Sequence, residues 1–139
     1  MNTMKNVMLL GAVIFLLAMA GCSKDENDRF ELLTSPVWAT DSLLVNGVDA
    51  AGSGQLLEKF KGNAKFNTDG TGTFGSYKGT WRFPDNTRKQ LVISTDSLPL
   101  PIYANIVELT TSSLEITTEL PDLTGQTDKF RIRMTFKAR

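Results

Sequence analysis

Residues able to do chemistry are scarce in this chain. Its 139 residues include a single cysteine, Cys22, and no histidine. Histidine is the commonest general base and the commonest transition-metal ligand, so the chain lacks the residue that most often fills either role. Asp25, Glu26 and Asp28 share one polar segment, and the other acids are scattered along the chain. The sequence therefore predicts no catalytic residue, no metal site, no cofactor and no enzyme, and Cys22 alone has an assignable chemistry.

Cys22 follows a segment patterned for export. Lys5 precedes an uncharged and mostly apolar run from Val7 to Ala20. Such a run has the length of a signal-peptide core, whereas a membrane-spanning helix needs about 20 residues. Small residues ending at Gly21 stand directly before the cysteine. This order predicts a signal peptide at residues 1–21 that is cleaved between Gly21 and Cys22.

The cleavage site also carries a lipid-attachment pattern. Met19-Ala20-Gly21-Cys22 resembles the lipobox of bacterial lipoproteins, in which leucine, a small residue, and glycine or alanine precede the cysteine. Met19 stands where leucine is commonest. The resemblance implies that the Cys22 thiol carries diacylglycerol through a thioether and that its amino group is often acylated too. Two or three acyl chains give a lasting membrane anchor, because each buried methylene contributes about 0.8 kcal/mol.

Residues 22–29 are predicted to be the lipidated cysteine and an acidic tether. The segment is polar, and such a composition buries little apolar surface. Ser23-Lys24-Asp25-Glu26 is similar to the acidic export signal that follows the lipidated cysteine in surface lipoproteins of the Bacteroidota. The similarity implies an outer-membrane lipoprotein exposed at the cell surface, with the periplasmic leaflet as the alternative location.

Residues 30–139 are predicted to form one domain. The whole chain has 15 basic and 15 acidic side chains, and removal of Lys5 with the signal leaves one acidic charge in excess. Nucleic-acid-binding proteins carry a clear basic excess. We therefore expect no nucleic-acid partner.

Period-two alternation dominates the chain after Phe30, with turn residues at intervals of about ten residues, as in antiparallel strands. The clearest turn is Asn67-Thr68-Asp69-Gly70, because Asp-Gly accepts the positive φ of a tight hairpin. Thr68-Asp69-Gly70 and Asp85-Asn86 supply too few oxygens for calcium and are predicted to be turns. Eight strands are predicted, at residues 37–45, 64–66, 71–74, 79–83, 91–95, 102–109, 114–119 and 129–137, with a last turn at 121–127. Short helices are expected at Arg29–Leu33 and Gln55–Phe60.

The facing of the first predicted strand is ambiguous. Strict alternation places Trp38 on one face with Leu44, and Leu43 on the other with Val45. Each face would therefore carry large apolar side chains, and the sequence does not choose between them.

Eight strands joined by short loops favour an all-β fold, an antiparallel up-and-down meander closed into a barrel. Closure removes the exposed strand edges that invite aggregation. A two-sheet β-sandwich shows the same pattern and is the alternative fold.

Four stretches resemble the lipocalin-like domains of small Bacteroidota lipoproteins. Those domains have a tryptophan near the start of the first strand, a hairpin with phenylalanines flanking a glycine, a Gly-x-Trp strand and a Thr-Phe-Lys ending. The matching stretches are Leu33-Thr34-Ser35-Pro36-Val37-Trp38, Phe66-Asn67-Thr68-Asp69-Gly70-Thr71-Gly72-Thr73-Phe74, Gly79-Thr80-Trp81 and Met134-Thr135-Phe136-Lys137. The resemblance implies a lipocalin-like barrel but identifies no binding residues.

Aromatic residues are the candidates for ligand contact. Trp38, Phe66, Phe74 and Trp81 are expected to converge inside the barrel, where eight strands leave an interior that is either filled by side chains or holds one small ligand. Two functions follow from these alternatives. One is a binding module for a small apolar or glycan ligand, and the other is an accessory protein with a solid core that binds another envelope protein through its outer surface.

The last predicted strand carries a basic stripe, formed by Lys129, Arg131, Arg133 and Lys137. It could contact acidic glycans or phospholipid headgroups. In a meander, however, the preceding strand would place Glu115, Thr117 and Glu119 alongside it. The favoured interpretation is that these carboxylates neutralise the stripe.

Overall fold

The computed structural model describes residues 24–121, 125 and 128–139. The predicted signal peptide, its predicted cleavage site at Gly21 and the predicted lipid-attachment residue Cys22 lie outside these residues, as does most of the turn predicted at 121–127.

One helix and nine strands make up the described chain, with a 3₁₀ turn between the second and third strands. The helix α1 spans Lys24–Thr34, and the 3₁₀ turn spans Glu58–Phe60. The strands are β1 Trp38–Val45, β2 Val48–Asp49, β3 Asn63–Phe66, β4 Thr71–Phe74, β5 Tyr77–Arg82, β6 Gln90–Thr95, β7 Ile102–Leu109, β8 Ser113–Pro121 and β9 Lys129–Ala138.

The strands form one antiparallel sheet that closes on itself. Its order is β2-β1-β3-β4-β5-β6-β7-β8-β9, and β1 also pairs with β9. Eight strands, β1 and β3 to β9, therefore make an up-and-down barrel of the lipocalin-like kind, as the alternation predicts. The two-sheet sandwich is wrong. The short β2 pairs only with the end of β1, and two residues are too few to show an alternation in the sequence.

A β-bulge resolves the facing of β1. Thr40 pairs with Phe136, whereas Ser42 pairs with Thr135, so Asp41 is an extra residue without a partner of its own on β9. A bulge shifts the alternation by one position. Trp38 and Leu43 consequently both point inward, and each is at most 1% exposed.

Helix α1 packs against the end of the barrel where β1 begins, which we term the helix end. Leu33 is fully buried there, and its carbonyl oxygen accepts a hydrogen bond from Trp38 Nε1 at 3.0 Å. The Phe30 ring lies 5.8 Å from the Trp81 ring, between centroids. Lys65 Nζ donates to three carbonyl oxygens where the helix ends, those of Thr34, Ser35 and Pro36. Helix carbonyls at a C-terminus lack backbone donors, and a lysine side chain satisfies them well.

Both predicted helices differ in extent from those observed. α1 begins at Lys24, so it includes the predicted Arg29–Leu33 helix and overlaps the segment predicted as a tether. The Gln55–Phe60 prediction shortens to a 3₁₀ turn at Glu58–Phe60, where the backbone N–H of Phe60 donates to the carbonyl oxygen of Leu57, three residues earlier. Leu57, directly before that turn, is buried against the core.

Candidate ligand sites

The four aromatic residues predicted to face a ligand all lie in the buried core. Trp38, Phe66, Phe74 and Trp81 are 0%, 2%, 4% and 5% exposed. Phe66 contacts both Phe74 and Trp81, with ring centroids 5.3 Å and 5.7 Å apart. Trp81 Nε1 donates to the carbonyl oxygen of Asn67 at 2.9 Å. The structure thus brings three of the rings into direct contact and satisfies both indole N–H groups within the protein, so a ligand at these rings would have to displace side chains.

The opposite end of the barrel, which we term the far end, is covered over the ends of β1 and β3 to β5. The segment 50–62 lies there, with Ala50 and Leu57 buried. Ser76, in the β4–β5 turn, donates its backbone N–H to the carbonyl oxygen of Lys59. The Phe60 ring contacts Tyr77 on β5, with centroids 4.7 Å apart. Apolar side chains from this loop therefore close part of the far end.

Apolar side chains on β7 to β9 at the far end are less covered. Phe130 shares the inward face of β9 with Ile132, Met134 and Phe136, which are 4–6% exposed. Phe130 itself is only half-buried and lies outside the packed core cluster. Leu120 pairs with Phe130 and is also half-buried. The side chains on the inward face of β9 are thus less buried near the start of the strand, which lies at the far end.

Ile102 and the loop before it also carry incompletely buried apolar side chains at the far end. Ile102, which pairs with Ile93, is half-buried. Leu98 in the β6–β7 loop is half-buried, and Leu100 is 73% exposed. Alternation along β9 assigns Phe130 to the same inward face as Phe136, because alternation reports the face of a strand. Alternation does not report depth along the barrel axis, so no sequence signal singled out these residues as a site.

A depression lies on the outer face of the sheet. It is a groove of about 1010 Å³ formed by strands β7, β8, β9 and β1. The residues lining it are Leu44, Asn46, Gly47, Asn105, Thr117, Thr118, Glu119, Asp128, Lys129, Arg131, Ile132 and Arg133. Most of these side chains are polar or charged and belong to the outward face of the sheet, whereas Thr118 and Ile132 pair with each other on the inward face.

Ion pairs within and beside this groove neutralise most of the basic stripe. Arg133 forms two hydrogen bonds with the Glu115 carboxylate, at 2.8 Å and 3.2 Å. The hydrogen bond and charge of Glu115 raise the pKa of Arg133 above its ordinary value. Glu119 lies 3.3 Å from Lys129 and 3.9 Å from Arg131. The predicted cross-strand pairing is confirmed for these side chains.

The two turns considered for calcium are hydrogen-bonded within themselves. Asp69 Oδ1 accepts from both the backbone N–H and the hydroxyl of Thr71, and Asp85 Oδ1 does the same with Thr87. These hydroxyl bonds lower the pKa of both carboxyl groups. The prediction that both segments are turns is confirmed.

Within the described part of the chain, no three histidine, cysteine, aspartate or glutamate side chains gather into a possible metal-binding group. The same residues contain no helix of the length and hydropathy needed to cross a membrane. No protein-family model matches the chain, and no curated protein matches it significantly.

Proposed function

We propose that this protein is a lipid-anchored, non-enzymatic binding protein of the bacterial outer membrane that takes a small apolar ligand at the far end of its barrel. The observation that supports the ligand site most directly is the loss of burial along the inward face of β9. Phe136 is 5% exposed, whereas Phe130, six residues earlier on the same face, is half-buried. Ligand sites are mostly apolar, and Phe130, Leu120 and Ile102 are half-buried apolar side chains at this end of the barrel.

The position of the anchor fits this arrangement. Lipid attachment at Cys22 would place the membrane two residues before α1, which begins at Lys24. α1 packs at the helix end, so the far end would point away from the membrane. An anchored barrel in this orientation presents its apolar end to the medium or to the periplasm, depending on the leaflet.

The second candidate, a protein partner, is favoured by a different observation. Val48, Leu56 and Leu100 are 68%, 57% and 73% exposed, and all three belong to loops or short elements at the far end. Large exposed apolar surfaces often mark protein interaction sites, so an envelope protein that binds this end would cover these three side chains.

Photolabelling would test the proposed ligand site. The full-length protein in native membranes is labelled with a small apolar aryl diazirine, and the modified peptides are mapped by mass spectrometry. We expect labelling near Ile102, Leu120 and Phe130 that Phe130→Glu abolishes, because an ionised carboxylate makes this apolar surface unfavourable for apolar molecules. Val107→Glu introduces the same charge at a side chain that is 58% exposed on β7 and serves as the matched control.

Equal labelling of native protein and Phe130→Glu would refute the ligand site. The anchor is tested separately, by metabolic incorporation of an alkyne fatty acid. We expect incorporation into the native protein and none into Cys22→Ala, and unchanged incorporation into that variant would refute lipid attachment.

A further inference from the structure

The groove on the outer face has a composition unlike that of the far end. Its floor includes one row of residues that crosses four neighbouring strands. In this row Asn105 pairs with Thr117, Thr117 with Arg133, and Arg133 with Leu44. Neighbouring strands are about 4.8 Å apart, so the row is about 14 Å long. A volume near 1010 Å³ stands at the upper limit of the range usual for small-molecule sites, which gives space for a ligand longer than one ring.

Charges in and beside the groove balance. Three cations, Lys129, Arg131 and Arg133, line it together with two anions, Glu119 and Asp128. The third anion is Glu115, which lies beside the groove and pairs with Arg133. The closest pair is also the least exposed, since the Glu115 side chain under Arg133 is 17% exposed. A site for phosphate, sulfate or a nucleic acid would need a clear positive excess. This balance favours an uncharged ligand.

Neutral hydrogen-bonding groups stand between these charged pairs. Gln90 Nε2 donates to Asn105 Oδ1 at 2.9 Å, and Asn46 Oδ1 accepts from the Arg131 backbone N–H at 3.0 Å. The side-chain oxygens of Asn105 and Asn46 accept hydrogen bonds within the protein, so the NH₂ groups of these two residues are available as donors. The Thr117 hydroxyl has no hydrogen-bond partner within the described residues. Donors and acceptors of this kind, spaced along a groove, match a ligand rich in hydroxyl groups.

An exposed aromatic ring borders the groove. Tyr103 is 60% exposed and lies two residues before Asn105, on the same face of β7. Its carbonyl oxygen accepts a 2.6 Å hydrogen bond from Thr118 Oγ1, which ties it to the groove. The face of an aromatic ring is electron-rich, and the C–H groups on one face of a pyranose carry partial positive charge. A sugar ring can therefore stack on Tyr103 while its hydroxyls reach Asn105 and Thr117.

We propose that this outer groove binds a neutral saccharide chain. Most of the groove belongs to the outward face of the sheet, whereas Phe130 and Leu120 belong to the inward face, so the groove would give the protein a second ligand of a different chemical class. Tyr103 supplies the stacking surface, and Asn105, Thr117 and Asn46 supply hydrogen bonds. The ion-paired side chains keep the groove polar without adding net charge.

Affinity electrophoresis and titration calorimetry test the proposal. Full-length protein purified in detergent is compared in gels containing a neutral mannan, a neutral β-glucan, dextran or dextran sulfate, and the strongest neutral binder is titrated as its oligosaccharide. We expect retardation by at least one neutral polysaccharide. Thr117→Val and Tyr103→Ala should each weaken binding about tenfold, the factor that corresponds to 1.4 kcal/mol. Tyr103→Phe should bind nearly as well as the native protein, because it keeps the ring.

The matched control is Thr73→Val, an exposed position on β4 away from the groove. It should leave binding unchanged, and far-UV circular dichroism checks that each variant is folded. Several results would overturn the proposal. These are retardation by dextran sulfate alone, no retardation by any neutral polysaccharide, or equal binding by native protein and folded Tyr103→Ala. Capture of a purified protein partner through Tyr103 and Thr117 without any saccharide binding would likewise overturn it.

Discussion

Trp38→Phe tests how α1 is held to the barrel. The indole of Trp38 is fully buried and donates to the carbonyl oxygen of Leu33 at 3.0 Å. Phenylalanine keeps the ring but removes the donor, so a buried carbonyl oxygen loses its partner. Leaving a buried polar group unsatisfied costs about 1–3 kcal/mol. The smaller ring also leaves a cavity, at about 24 cal/mol per Å³.

Together these effects predict that Trp38→Phe lowers the free energy of unfolding by about 2–4 kcal/mol. For a domain of this size that corresponds to a decrease in Tm of about 8–16 °C. Trp81→Phe is the matched comparison, because Trp81 Nε1 also donates to a carbonyl oxygen but the bond is only part-buried. Water can replace the lost donor there, so we expect a smaller decrease.

Urea unfolding of both variants is followed by circular dichroism and not by tryptophan fluorescence. Each variant retains only one of the two tryptophans of the native protein, so their fluorescence signals would not be comparable. Hydrogen exchange in α1 provides a second readout, and we expect faster exchange in Trp38→Phe. A Trp38→Phe variant as stable as the native protein would refute the assigned role of this hydrogen bond. A larger loss in Trp81→Phe than in Trp38→Phe would refute the burial argument that ranks them.

Further predictions concern the backbone and the turns. Gly79→Ala should lower stability by about 1–3 kcal/mol, because a Cβ there would lie 1.8 Å from the Ser94 carbonyl oxygen; an unchanged urea midpoint would contradict this. Lys65→Met should lower Tm by removing the donor to three carbonyl oxygens at the end of the helix, and an unaltered thermal transition would argue against it. Hydrogen bonds from Thr71 lower the pKa of Asp69 below its ordinary value of 3.8. The ionised carboxylate therefore stabilises the fold at pH values above 3.8, and this stabilisation is lost as the pH falls through the lower pKa of the folded state. Asp69→Ala should therefore show a weaker loss of stability on acidification below about pH 4, measured by urea titrations at several pH values, and a profile parallel to that of the native protein would exclude this linkage.

Alternation along single strands predicts most of this fold, because each strand of a closed barrel buries one face and exposes the other. β7 begins and ends where the pattern places it, from Ile102 to Leu109. The pattern fails at Asp41, where the bulge shifts the inward-facing positions by one residue. Strict alternation therefore assigns apolar side chains of this strand to both faces of the sheet. β7 contains a second register shift, between Ile106 and Glu108. A bulge is specified by pairing with a distant strand, so local sequence carries little information about it.

The sites are less predictable than the strands. Charge alternation on β9 correctly predicts that Glu115 and Glu119 neutralise the basic side chains, because cross-strand neighbours follow from a hairpin register. The groove beside them depends on the curvature of four strands, which no single strand encodes. Phe130 shows the same limit, since its place in the pattern matches that of Phe136 while its burial does not.

Closure of the barrel by β1 and β9 also constrains the order of folding. These strands are the first and last of the barrel in sequence. Ser42 Oγ nevertheless lies 2.6 Å from Thr135 Oγ1, a residue 93 positions later in the chain. Contacts between distant positions form slowly, since a long loop must be ordered before they give any stabilisation. Until β9 pairs, β1 and β8 each present an unpaired edge to other chains. The interval before the last strand pairs is therefore when the folding chain is most open to aggregation, and when a chaperone would have most effect.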